Sequence, residues 1–275
     1  MQKNEEVIKM HKTYFCFPGG KHKVLTMSYD DGKLQDRRLV NLFNVHHIKG
    51  TFHINGGLFD NSIRINQEEL VKLYEGHEIA CHTLTHPTIA RCPKEQIVNE
   101  ILKDREILED IIKAPVRGLS YPNGSYNEMI KKMLPMLGIA YSRTVNGTYK
   151  FDLPSDWMEW NPTCHHNMNL MELAEEFVSM HKTQYLYMMY VWGHSYDFER
   201  DNNWELIESF CEYISDREDI WYATNIEIVD YLQAVERLIY TASGNGVYNP
   251  SVLDVWISID GQIIKVESGK YTTLY

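Results

Sequence analysis

KVLTMSYDDG, residues 23–32, decides how this chain folds. Leu25, Met27 and Tyr29 alternate with Thr26, Ser28 and Asp30, which is the period of a strand. The run ends on two adjacent carboxylates, Asp30 and Asp31, followed by Gly32. Adjacent anions repel, so a strand end that carries both calls for a cation close by.

Outward from this stretch, strand and helix patterns alternate. Residues 33–47 predict a helix and 49–56 a strand. A short helix over 67–75 closes on Gly76, and HEIACHTLTHP (77–87) predicts a third strand running into a loop. Pro93 suits the first turn of a long helix over 93–112, and 116–124 reads as a strand ending in a turn. Further strands are expected near 139–145, 185–194 and 220–223, with helices near 127–137, 169–182, 203–215 and 225–239. Residues 146–167 read as irregular. Some seven β–α units without a break predict one α/β barrel of parallel strands. Residues 241–275 show strand patterns, an Asp-Gly turn at 260–261 and no helix, so they predict a small C-terminal β appendage. The expected division is an N-terminal extension (1–21), a barrel (22–240) and this appendage.

Composition narrows the function. The 275 residues carry a net charge of −11, which argues against nucleic acid or an anionic membrane as partner. No run approaches the roughly 20 apolar residues of a membrane span. The first residues, MQKNEEVIKMHKTYFCF, lack an apolar core and a cleavage site, so a cytoplasmic location is expected. Five dispersed cysteines without a CxxC pair fit a reducing compartment. Oligomeric state is not legible.

Parallel barrels put their chemistry at the C-terminal ends of the strands. Asp30 and Asp31 end the first strand here, His82 and His86 follow the third, Tyr121, Pro122, Asn123 and Gly124 end the fourth, and His194 ends a later one. Two imidazoles and one carboxylate make a common ligand set for a catalytic divalent metal. HTLTH (82–86) offers His82 and His86, and Asp31 offers the oxygen. Asp30 is then free to act as general base on a water held by the metal, and His194 to protonate the leaving group. Zn²⁺ suits these ligands, with Co²⁺, Ni²⁺ and Fe²⁺ as alternatives. Taken singly, Asp-Asp-Gly also reads as a turn and His-x3-His as a surface pair; His165–His166 reads as a structural or rim feature. Trp157, Trp160, Trp192 and Tyr196 are candidates to stack on sugar rings.

SYDDG (28–32), HTLTH (82–86), SYPNG (120–124) and WGH (192–194) together resemble motifs of the polysaccharide deacetylases, carbohydrate esterase family 4. The resemblance covers about residues 22–235. It implies a distorted (β/α)7 barrel that uses a metal to remove acetyl groups from a carbohydrate. It also implies Asp30 as base, Asp31, His82 and His86 as metal ligands, His194 as acid, and the Asn123 N–H as an oxyanion donor. Tyr121, Pro122, Trp160, Trp192 and Tyr196 are expected around the substrate.

Three departures stand out. The Arg of the family's third motif falls on Ser120, and Tyr121 replaces its first Pro. In the family that Arg orients the base; Arg143 is expected to substitute, in preference to Arg117. Trp192 replaces a Leu that lines the acetyl pocket. Asp156–Trp157 is a loose match to the family's Asp-Trp motif. The expected activity is deacetylation of N-acetyl or O-acetyl groups on a sugar or oligosaccharide. The alternatives are a metal-dependent hydrolase of a non-carbohydrate amide and an inactive sugar-binding barrel.

Overall fold

A computed structural model describes residues 11–275. The first ten residues of the expected N-terminal extension lie outside the described residues. In chain order the elements are β1 (Thr13–Cys16), β2 (Lys23–Asp30), α1 (Asp36–Val45), β3 (Gly50–Ile54), α2 (Leu70–Leu73), β4 (Glu78–Cys81) and α3 (Lys94–Ile112). There follow β5 (Gly118–Ser120), α4 (Glu128–Met133), β6 (Tyr141–Arg143), β7 (Cys164–His165), α5 (Leu170–Ser179) and β8 (Tyr187–Gly193). The chain continues through α6 (Ser195–Arg200), α7 (Trp204–Ile214), β9 (Ile220–Tyr222) and α8 (Asn225–Glu236). It ends in β10 (Ile239–Tyr240), β11 (Gly246–Tyr248), β12 (Val255–Ile259), β13 (Gln262–Val266) and β14 (Tyr271–Thr273).

Two compact units result. The larger holds residues 23–182 and 187–230. Its strands run parallel in the order β6-β5-β4-β3-β2-β8-β7, with β9 against the first half of β2. β6 and β7 are the ends of that order, and the chain between them bridges the gap. Trp160 N–H donates to Ser142 O and Thr144 N–H to Trp160 O, while Thr163 N–H donates to Tyr190 O. The result is a curled, half-closed α/β barrel.

Every residue of β2 is buried. Leu25, Met27 and Tyr29 join the main hydrophobic core beside Leu39, Phe43 and Phe52. The alternate residues form a polar row. Thr26 Oγ1 donates to Asn225 Oδ1 at 2.7 Å, Ser28 Oγ meets His53 Nδ1 at 3.2 Å, and Asp30 ends the row. Buried polar groups are tolerable only when paired, and the strand ends of the larger unit collect those pairs.

The smaller unit contains residues 11–22, 183–186 and 231–275. β1, β12 and β13 form one antiparallel sheet and β10, β11 and β14 another. The Asp260–Gly261 turn joins β12 to β13, both residues with positive φ (50° and 87°), as a two-residue hairpin demands. The C-terminal β segment is therefore not built from C-terminal residues alone. β1 pairs with β12 from Thr13↔Ile259 to Cys16↔Trp256, a long-range register that neither strand's own pattern encodes.

Local differences have simple causes. The helix expected over 67–75 shrinks to α2. That over 127–137 breaks into α4 and a 3-10 turn, Leu134–Leu137, where Pro135 lacks the N–H an α-helix needs. The irregular stretch 146–167 contains β7. Among the described residues, no helix is long and apolar enough to cross a membrane.

Candidate active site

Asp30 is the hub. It sits at the end of β2, 2 % exposed, in register with His53 on β3. The Arg143 guanidinium, at the end of β6, binds Oδ2 through Nη2. Ser120 Oγ, at the end of β5, donates to Oδ1 at 3.0 Å, and His53 Nδ1 lies 3.3 Å from the same oxygen. Burial alone would push the carboxyl up; the Arg143 charge, with His82 and His53 behind it, outweighs burial and holds it well below the usual carboxylate range. A fully buried anion at neutral pH needs that compensation. Arg143 is itself fixed, by Nε on Ser28 Oγ at 3.1 Å, Nη1 on Thr144 O at 2.9 Å, and the Trp192 ring 4.4 Å beneath it.

Asp31, His82 and His86 face one another, with one donor atom from each within 4.8 Å of the others. His82 Nδ1 lies 2.9 Å from the Ser120 carbonyl. A carbonyl only accepts, so Nδ1 carries the proton and Nε2 keeps its lone pair, 3.9 Å from Asp30 Oδ2. Burial lowers the His82 pKa to about 4, which keeps the ring neutral, as a ligand must be. His86 Nε2 stands 3.9 Å from Asp31 Oδ1. Two imidazoles and one carboxylate, with His82 held by the Ser120 carbonyl and Asp31 by Arg64, suit a divalent transition metal.

The backbone is strained at this spot. Asp31 (φ 82°), Thr83 (φ 62°) and His86 (φ 61°) are all left-handed. Non-glycine residues hold such angles only when the surroundings enforce them. Asn55 Nδ2 does so through the carbonyls of His82 and Thr83, Glu100 through Thr85 N–H and Oγ1, and Arg64 through the carbonyl of Asp31.

His194 follows β8, with its side chain 23 % exposed. Burial lowers its pKa, but the Asp197 carboxylate, 3.1 Å from Nδ1, outweighs burial and raises it. Trp192 and Tyr196 flank it at ring distances of 5.7 and 5.0 Å. Asn123 is exposed with φ 56°, at the loop after β5.

Several expected residues lie elsewhere. Trp160 is fully buried, edge-on to Tyr141 and Tyr190, so no sugar reaches it. Tyr121 is buried too, and its hydroxyl donates to Met158 O. Pro122 is buried beside it. These three pack the barrel rather than line a substrate surface. Arg117 pairs with Asp230, away from Asp30. Asp156 caps the 3-10 turn Trp157–Glu159 and pairs with Lys131 at 2.8 Å. Conversely, sequence reading passed over His53, Arg64 and Asp197. Period-2 spacing on β3 and the i, i+3 spacing of His194 and Asp197 were the available signals; Arg64 left none.

Residues 18–142 match the family model of the polysaccharide deacetylases. The match takes in just under half of the chain, which over this stretch is similar to the polysaccharide deacetylases. The chain is 28 % identical, over 119 residues, to a chitooligosaccharide deacetylase of Bradyrhizobium sp. (strain ANU 289), covering 42 % of this chain and 52 % of that protein. It is 29 % identical over 141 residues to a peptidoglycan-N-acetylglucosamine deacetylase of Bacillus cereus, covering 49 % and 61 %. The chain spans about half the length of the first curated relatives it matches. Among solved structures, a Mycobacterium smegmatis protein assigned as a polysaccharide deacetylase shares the fold with TM-score 0.60 and 16 % identity, over 80 % of this chain and 93 % of that one. The family-4 esterase domain of a xylanase from the hindgut metagenome of Trinervitermes trinervoides gives TM-score 0.52 at 13 % identity, over 78 % and 92 %. These structural likenesses establish the α/β half-barrel.

Proposed function

We propose that this chain hydrolyses N-acetyl or O-acetyl groups of a sugar or oligosaccharide, with a divalent cation held by Asp31, His82 and His86. The observation that carries the reading is Asp30, buried, ionised and clamped by Arg143, directly beside that three-residue donor set. Zn²⁺ is the first choice of ion, and Co²⁺, Ni²⁺ and Fe²⁺ suit the same donors. A cation bound there polarises the acetyl carbonyl and makes water more acidic.

The rest falls to the protein. Asp30 takes a proton from the attacking water, and Arg143, Ser120 and His53 keep its carboxylate aimed and charged. Water adds to the acetyl carbon, and the Asn123 N–H donates to the oxygen as it gains charge. The C–N or C–O bond then breaks, acetate leaves, and His194 gives a proton to the departing amine or alcohol. Asp197 orients His194 from behind. Trp192 and Tyr196 border the substrate.

The test is acetate release from chitooligosaccharides, N-acetylglucosamine, peptidoglycan fragments and acetylated xylan, with Asp30→Asn in parallel and metal content measured for both. The expected result is acetate from wild type, with at least a roughly 100-fold loss in Asp30→Asn at unchanged metal content. Equal release by both proteins overturns the role of Asp30. Turnover confined to non-carbohydrate amides overturns the substrate class. No turnover with metal bound would leave a binding protein.

A further inference from the structure

A second group of metal-ligating side chains stands behind His194. His165 and His166, on β7 and just after it, and Asp197, on α6, bring one donor atom each within 4.8 Å of the others. His165 Nε2 is 3.4 Å and His166 Nε2 is 3.8 Å from Asp197 Oδ2. Four ligands arranged tetrahedrally at about 2.0–2.1 Å from an ion stand about 3.4 Å apart, so these separations suit an ion between them.

His166 supplies the independent sign. It is fully buried, and neither ring nitrogen has a hydrogen-bond partner among the described residues. Buried imidazoles nearly always find one. Its Nε2 is aimed at Asp197 yet too far for a hydrogen bond. The ring is held there, stacked between Tyr29 and Phe198 at 5.7 and 4.1 Å. It also lies over Gly193, where a Cβ would come within 2.1 Å of Nδ1. Only glycine at 193 admits the ring. Burial lowers the pKa of His166 and so favours a neutral ring. A neutral, locked imidazole with an open lone pair is prepared for a ligand.

Arg200 Nη1 sits on Asp197 Oδ1 at 2.7 Å and His194 Nδ1 on Oδ2 at 3.1 Å. Oδ2 keeps room for a further partner, since a carboxylate oxygen has two lone pairs. The side chain of His165 is 21 % exposed, which leaves an entry path from solvent.

We propose that His165 Nε2, His166 Nε2 and Asp197 Oδ2 form a second divalent-cation site, for Zn²⁺, Co²⁺ or Ni²⁺, separate from the Asp31–His82–His86 group. An ion there shares Oδ2 with His194, so the two compete for that oxygen.

The test counts ions on the full chain, by equilibrium dialysis against Co²⁺ followed by elemental analysis and the visible spectrum of bound Co²⁺. Wild type is expected to take up two ions per chain. Asp31→Asn with His86→Ala, which disables the first group, is expected to keep one. Adding His165→Ala to that variant should weaken the remaining ion by at least about 10–100-fold, and His166→Phe should do the same while filling the ring's space. Circular dichroism verifies the fold; the part-exposed His165 is the substitution least able to disturb it. Saturation of wild type at one ion, no ion on the first-group variant, or a residual ion indifferent to His165→Ala would each overturn the proposal. The count stands apart from acetate release, so an inactive protein that binds two ions still supports it.

Discussion

Arg143 meets Asp30 across 113 residues of chain, and both side chains are almost wholly removed from water. The pair joins the end of β6 to the end of β2, on opposite sides of three intervening strands. The guanidinium thus reaches Asp30 Oδ2 from the far side of those strands, while Ser120 donates its hydroxyl to Oδ1.

Replacing Arg143 by Met should leave Asp30 buried without its partner. The expected cost is about 3–5 kcal/mol in stability, together with a loss of roughly 100-fold or more in kcat/KM for acetate release. Arg117→Ala is the control. Its pair with Asp230 is about one-third exposed on each side, so stability should move by less than about 1 kcal/mol and kcat/KM should not change. Urea unfolding and steady-state kinetics on both variants check the pair of outcomes.

Chelation should abolish acetate release, and Zn²⁺ or Co²⁺ should restore it. His86→Ala should raise the metal concentration needed for half-activity by at least about 10–100-fold, because one of three donors is gone. Activity measured against free metal, set with a metal buffer, decides this. Release that survives exhaustive chelation would remove the metal from the reaction.

Glu78 offers a pH test away from the site. Burial pushes its carboxyl up from 4.5 to about 7, while Ile226 N–H, Tyr141 Oη–H and Thr51 Oγ1–H all donate to it. The unfolded chain releases this proton near the ordinary carboxylate pKa and the folded chain holds it to about 7. Between those values the folded state binds more protons, so stability falls as pH rises, by up to about 1.4 kcal/mol per unit. Glu78→Gln can keep the contacts, with its oxygen accepting from Ile226 and Thr51 and its amide donating to Tyr141. It should reduce the downward slope of stability between about pH 4.5 and 7. An unchanged slope, from denaturation midpoints across that range, would contradict the assignment.

Trp160 and Trp192 should separate cleanly. Trp160→Ala empties a core position and should cost about 3–5 kcal/mol. Trp192→Leu restores the side chain of the family motif beside Arg143 and should act mainly on KM for the acetylated substrate. Thermal unfolding and Michaelis–Menten kinetics on both variants test the contrast. A KM effect from a folded Trp160→Phe protein, with none from Trp192→Leu, would reverse the assignment.

Much of this protein was legible from local pattern alone. Period-2 runs, glycine caps and strand-end acids and histidines predicted parallel β–α units, and the spacing of Asp30, Asp31, His82, His86 and His194 marked one rim. Those signals are short-range: a side chain's direction from a strand depends on its own backbone. Tertiary structure alone decided what depends on distant partners. It put Arg143 rather than Arg117 on Asp30, and turned Trp160, Tyr121 and Pro122 into packing. It set His53 beside Asp30 and paired β1 with β12. Barrel curvature and strand order choose which strand ends meet, and burial chooses which aromatics touch water; neither is written in any window of ten residues.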